Sequence, residues 1–182
     1  MILMHQTSIN HLLDTSWDPA TIEAYCKICK NYNVHFSCPH HDFHIPDFLR
    51  RYDHVLVAAH AIPIDQTQPG TLEEHFYSNK TQLDQQLLSL EKMIPESQAL
   101  IAGQCQNCQS ACERSELSSC PKPDLLRYSF ESLGFDVAAL LKLYFDKELT
   151  FNDQEVILVY GFLLSKPLDK DQLAFVKGQL DG

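Results

Sequence analysis

Seven cysteines divide into two groups, Cys26, Cys29, Cys38 and Cys105, Cys108, Cys112, Cys120, and each group closes on a Cys-Pro dipeptide, at Pro39 and Pro121. A C-x-x-C turn directs two sulfurs into one space, and a third and fourth sulfur complete a tetrahedral or cubane centre. The chain therefore reads first as a metal or iron–sulfur protein. The second group offers four thiolates within 16 residues, spaced C-x-x-C-x-x-x-C and then, seven residues on, C-P. A 4Fe–4S cube needs four thiolates, one per iron, and the closing Cys-Pro resembles the bacterial ferredoxin run at looser spacing. Zinc also takes four thiolates, but usually from two separated C-x-x-C knuckles. A 4Fe–4S cluster is the expected cofactor here and zinc the alternative. Gly103 ahead of the group admits an unusual backbone angle. Gln104, Gln106, Asn107 and Gln109 are candidate hydrogen-bond donors to the sulfurs.

The first group has three thiolates and no fourth cysteine nearby. Cys26, Cys29 and Cys38 are expected to converge on one point. The fourth position falls to His35, His40, His41 or His44, to water, or to a small ligand. Exposed loop histidines with no ligand role are the plainer reading of that segment. A thioredoxin-like redox pair is disfavoured, because Cys38 adds a third sulfur and no strand precedes Cys26. A cross-paired site from Cys26, Cys29, Cys105 and Cys108 would strand three cysteines and ranks below two independent sites.

Composition narrows the setting. A chain of 182 residues is long enough for one domain with a real core. No apolar run reaches the roughly 18–20 residues of a membrane helix. The first residues lack a basic region and a small-residue cleavage site, so no signal peptide is expected. The expected compartment is the cytoplasm, where clustered cysteines are more often ligands than disulfides. The net charge of −10 and the scattered basic residues argue against nucleic acid as a partner. An acidic surface suits solubility or a basic redox partner protein.

The elements that must position these loops follow from pattern. Thr15 to Asp18 reads as a helix start, with Pro19 near the first turn, and a short helix through Ile22 delivers Cys26 at its end. Residues 54–62 (HVLVAAHAI) form a continuous apolar run of strand length, as in strands buried on both faces. Residues 63–70 are turn-rich. Thr71 and Glu74 form a capping box, and Leu72, Phe76, Leu83, Leu87, Leu90 and Ile94 make one stripe of a long helix stopped by Pro95. Residues 98–103 read as the next strand. Strand, helix, strand is a βαβ unit, so parallel neighbours are expected. The second cysteine group then leaves a strand's carboxyl end, where open α/β sheets place ligands. A helix is expected over 124–133, ending at Gly134, and another from Val137, capped by Asp136. Residues 155–164 form a third buried strand, and 168–180 are weakly amphipathic. The fold expected is a single α/β domain over 1–182, a small, mostly parallel sheet carrying two cysteine-rich metal-binding loops.

Taken together these motifs resemble a family of small proteins described as predicted metal-binding proteins. The resemblance rests on Cys26-Lys-Ile-Cys29, Tyr32 and Cys38-Pro39. It continues through Gly103-Gln-Cys105-Gln-Asn-Cys108-Gln-Ser-Ala-Cys112, Cys120-Pro-Lys-Pro123, and Ser129-Phe-Glu131-Ser-Leu-Gly134-Phe-Asp136-Val137. It spans roughly residues 20 to 165. The family often has a second proline where this chain has His40, and arginine then histidine where it has Pro121 and Lys122; every thiol is in place. The resemblance implies metal binding, with iron–sulfur chemistry foremost, and no particular reaction. No G-x-S-x-G elbow, Walker loop, G-x-G-x-x-G or H-E-x-x-H is present. Three functions remain: an electron-transfer or redox accessory protein with one or two 4Fe–4S clusters, a structural zinc interaction module, or an enzyme using an open iron on a small molecule. Glu131 reads as a solvated or capping carboxylate, or more sharply as a proton donor to a bound substrate.

Overall fold

The structure, a computed structural model, describes residues 2–64, 70–108, 112, 114–115, 117–152 and 154–181. Gln109 and part of the 63–70 connection lie outside the described residues. In chain order the elements are β1 (Ile2–Ser8), α1 (Ile9–Ser16), α2 (Pro19–Lys27), α3 (Ile45–Leu49), β2 (His54–Pro63), α4 (Leu72–Glu91), β3 (Ser97–Leu100), α5 (Val137–Phe145), β4 (Glu155–Leu164) and α6 (Lys170–Asp181). Two 3₁₀ turns, Pro123–Leu125 and Glu131–Leu133, stand where one helix over 124–133 was expected. Among the described residues no helix is long and apolar enough to cross a membrane.

The sheet has the order β1-β2-β4-β3, and every ladder between these strands is antiparallel. This corrects the expected mostly parallel sheet. β2 and β3 do run in the same direction, because both are antiparallel to β4. They are not neighbours: β4, arriving late in the chain, inserts between them and splits the βαβ unit. A continuous apolar run reports burial on both faces but not direction or neighbour. β1 also went unanticipated; it pairs along the outer edge of β2, from Ile2 opposite His60 to Ser8 opposite His54.

Both faces of the sheet are covered, which explains the unbroken apolar runs. Val156, Leu158, Tyr160, Phe162 and Leu164 of β4 pack with Leu83, Leu87 and Leu90 of α4 and Val176 and Leu180 of α6. Ile157, Val159 and Leu163 face the other way, onto Leu12 of α1, Phe48 and Leu49 of α3, and Leu140 and Leu141 of α5. At Gly161 the neighbouring strand leaves no room for a side chain. A Cβ there would lie 1.9 Å from the carbonyl oxygen of Leu56 on β2. Gly161→Ala is expected to destabilise the fold by about 3 kcal/mol, read as a shift of the urea midpoint at unchanged slope.

The capping box of α4 is formed as expected: the Thr71 hydroxyl accepts from the N–H of Glu74, and the Glu74 carboxylate accepts from the N–H of Thr71. α2 begins behind Asp18, whose carboxylate accepts from the Thr21 N–H, and Cys26 falls in its last turn. α4 carries a buried ion pair, Lys80 with Asp84, its side chains 0% and 4% exposed. Glu91, at its end, takes a two-pronged contact from Arg127 and also accepts from the N–H of Ala99 on β3. That junction ties α4, β3 and the segment following the second cysteine group into one support.

Candidate metal centre

The two cysteine groups leave different parts of the fold and meet. The first loop runs from the end of α2 to α3. The Cys29 N–H donates to the Cys26 carbonyl at 3.0 Å, a tight turn, and the Asn31 N–H reaches the Cys29 sulfur at 3.5 Å. The Asn33 N–H returns to the Pro39 carbonyl at 3.1 Å and closes the loop around Cys38. The second loop leaves β3 through Gly103, whose φ of +67° is a left-handed conformation that favours glycine. Farther along, the N–H of Cys105 donates to the Ser37 hydroxyl at 2.8 Å, joining the loops directly.

Arg114, between Cys112 and Cys120, fastens the junction. Its guanidinium donates to the carbonyls of His35, Cys38 and His40, the first at 2.7 Å. Three carbonyls of the first loop thus converge on one cation of the second. Nothing in the cysteine spacing pointed to Arg114; its one available signal was a lone cation within a ligand loop. Arg114→Ala is expected to lower stability by about 2 kcal/mol, given that hydrogen bonds to charged groups are worth about 1.5–3 kcal/mol. Hydrogen exchange should show the loss concentrated in residues 29–41, with the sheet amides unaffected.

All four thiols of the second group line one cavity of about 440 Å³, together with Val34, His35, Phe36 and Ser37 of the first loop and Gln106, Lys122, Leu125 and Leu126. The four cysteines are half-buried. Burial raises the Cys105 thiol, and hydrogen bonds from the backbone of Asn107 and Arg127 act against that rise. Gln104 and Asn107 turn away from sulfur, Gln104 to the Tyr77 hydroxyl and Asn107 to the Leu125 carbonyl, both at 2.8 Å. His35 contributes to this wall, and its Nδ1 is buried with no hydrogen-bond partner. A cavity edged by four thiols and a histidine has the donor chemistry of a metal or cluster site.

Around the first group, Cys26, Cys29 and Cys38 lie within electrostatic reach of one another, and burial pushes the Cys38 thiol up to about 11. The Cys26 thiol is raised by burial and by the nearby Glu131 carboxylate. Both are therefore protonated at neutral pH until a cation displaces the proton. Cys26 shares a smaller pocket, about 120 Å³, with Glu23, Pro39, His40, His41 and Glu131. Among the described residues, no three His, Cys, Asp or Glu side chains stand at a spacing that already holds a metal ion. Thiol side chains turn about χ1 and close on a metal as it binds, the coupling expected of such sites.

The histidines of the first loop are dispersed. His35 faces the other cavity. His40 contacts the Tyr32 hydroxyl and lies 3.7 Å from Glu23. His41 is held to the Ser132 carbonyl at 2.8 Å and stacks on Phe43, and His44 pairs with Asp47 at 3.0 Å. Glu131, read from the sequence as solvated or capping, has its carboxyl group buried although part of its stem is exposed.

No curated protein and no solved structure matches the chain. A family model described as predicted metal-binding protein (DUF2284) matches residues 19–165, which takes in both cysteine groups, the Arg114 clamp and all of the sheet except β1. With that match over most of its length, the chain belongs to the family of predicted metal-binding proteins.

Proposed function

We propose that the four-cysteine cavity holds one 4Fe–4S cluster and that the protein works as an electron-transfer or redox accessory protein. The observation that carries this is the placement of Cys105, Cys108, Cys112 and Cys120 around a single cavity of about 440 Å³. A cube takes each thiolate on a different iron, so its donors ring a cage; a lone zinc ion gathers all four at about 2.3 Å. The cluster would supply one-electron chemistry. The chain's own residues do the rest. Phe36, Leu125 and Leu126 shield the cavity with apolar surface, which together with hydrogen bonds to sulfur sets a cluster's potential. Lys80, buried behind the wall, acts on both Cys105 and His35, and its partner Asp84 opposes it at Cys105. Val34, 46% exposed, and Lys122 mark the side that opens to solvent and to a partner protein.

Reversibility is the test. Anaerobically purified protein should have broad visible absorption that dithionite bleaches and a mild oxidant restores, with an electron paramagnetic resonance signal in the reduced form. A colourless protein that holds zinc would overturn the assignment.

A further inference from the structure

We propose that two copies of this chain pair through β1, strand against strand and antiparallel, so that their sheets join into one of twice the width. The two edges of the sheet differ. At the β3 edge the backbone groups are taken. The Ala99 N–H donates to the Glu91 carboxylate at 2.6 Å, the Ile101 N–H donates to the Tyr128 carbonyl at 2.9 Å, and Leu100 bridges to Tyr128. β3 is also short, Ser97–Leu100. The β1 edge is longer, Ile2–Ser8, and among the described residues no strand pairs on its outer side.

Register decides which groups β1 leaves open. Its pairing with β2 runs unbroken from Ile2 opposite His60 to Ser8 opposite His54. One step farther in the same register, the Ile9 N–H donates to the Asp53 carbonyl at 3.0 Å. Bonded residues alternate along an antiparallel ladder, so Leu3, His5 and Thr7 bond to β2. Met4 and Gln6 turn their N–H and C=O groups to the outside. The same alternation carried across β2 and β4 turns the Ala99 and Ile101 N–H groups to the outside of β3, where Glu91 and Tyr128 receive them. Among the described residues the outward backbone groups of Met4 and Gln6 have no partner. The elements around β1 engage its side chains instead. His5 stacks on Tyr144 of α5, and the Gln6 side chain holds both the N–H and the carbonyl of Leu168, ahead of α6.

An exposed edge strand usually carries a charge, a proline or a bulge that keeps other strands away. Ile2-Leu-Met-His-Gln-Thr-Ser8 has no Asp, Glu, Lys, Arg or Pro, in a chain of net charge −10, and its ladder has no bulge. The occupant that fits is a second copy. An antiparallel strand pair has a two-fold axis, so two identical edges complement each other and the contact closes on itself. Because Glu91 and Tyr128 cap the β3 edge, association stops at two chains. The register that uses the whole strand sets Met4 opposite Gln6 of the other copy, each such pair exchanging both backbone bonds. The second cysteine loop leaves from β3, at the opposite edge, so the four-thiol cavities come to lie at the two ends of the joined sheet.

Sedimentation equilibrium of the full chain, purified and kept reduced under argon, should give a mass of twice 20.8 kDa that falls toward one chain on dilution. Hydrogen exchange locates the contact. The Met4 and Gln6 amides should be protected at high concentration and lose that protection on dilution, while those of Leu3, His5 and Thr7 stay protected throughout. Met4→Pro removes an N–H that β2 does not use, a change that edge strands tolerate. It should weaken pairing at least about tenfold, for one lost backbone bond on each strand, with the far-ultraviolet circular dichroism unchanged. Should Met4→Pro fail to fold, the exchange pattern of the wild-type chain decides. A monomer at every concentration up to the solubility limit overturns the proposal, and so does a dimer whose Met4 and Gln6 amides exchange freely or that Met4→Pro leaves intact. Protection of those two amides in a chain that sediments as a monomer would mean that the chain covers its own edge, and is equally fatal.

Discussion

Cys108→Ser is expected to strip most of the visible absorption and most of the iron from the anaerobically purified protein. A serine hydroxyl is not deprotonated at neutral pH, so the proposed cluster would lose one of its four anchors. The loop that holds it has little else to keep its shape. Among its described residues, 101–122 contains no helix or strand, and its order rests on the Ser37, Arg114 and Leu125 contacts. Binding energy at such a site is folding energy. Loss of metal should therefore raise hydrogen exchange through this loop and through residues 34–37 on the cavity's far wall. Cys112→Ser should behave alike. Full iron content in both variants would mean that these thiols do not hold the cluster.

The second large effect lies beneath the site. Lys80→Met should destabilise the protein by about 3–5 kcal/mol at pH 7, the usual consequence of leaving half of a buried ion pair. Asp84 would keep a carboxylate in the interior with its cation gone; its Oδ1 already lacks a partner. Even with Lys80 present, burial raises the Asp84 pKa from 3.8 to about 6. The sign follows from proton linkage. The folded state holds this proton more tightly than the unfolded chain, so Asp84's contribution is greatest below about pH 4 and is lost as pH rises through 6. Removing Lys80 raises that pKa further. The destabilisation should therefore shrink between pH 7 and pH 5, while Lys80→Met combined with Asp84→Leu should recover most of the loss at both. Cys105 and His35 are within electrostatic reach of Lys80, so urea curves should be compared in the metal-free protein as well. A destabilisation that is independent of pH would contradict this reading of Asp84.

Local signals in the sequence carried well. Thr71 and Glu74 marked the start of α4 and Asp136 that of α5, the start expected over Thr15 to Asp18 overlaps the end of α1 and reaches the cap of α2 at Asp18, and the apolar runs 54–62 and 155–164 proved to be β2 and β4. Pairing was not legible. A strand buried on both faces has no polar side to reveal its neighbour, and β4 reaches the middle of the sheet from the far end of the chain. The helix expected over 124–133 failed because Pro123 and the left-handed Gly134 shape tight turns at each end, and Phe130 is drawn into the core between them. At the site, the four closely spaced thiols of the second group line one cavity. The crossing of His35 to the second cavity, the Arg114 clamp and the burial of Glu131 all depend on how two distant loops pack, which no local pattern encodes.

The most direct test of the cluster is a count of acid-labile sulfide, iron and zinc per chain in anaerobically purified protein. The four-thiolate cavity predicts about four sulfides and at least as many irons per chain, with the sulfide lost in Cys108→Ser. A protein that contains zinc and no labile sulfide would contradict it.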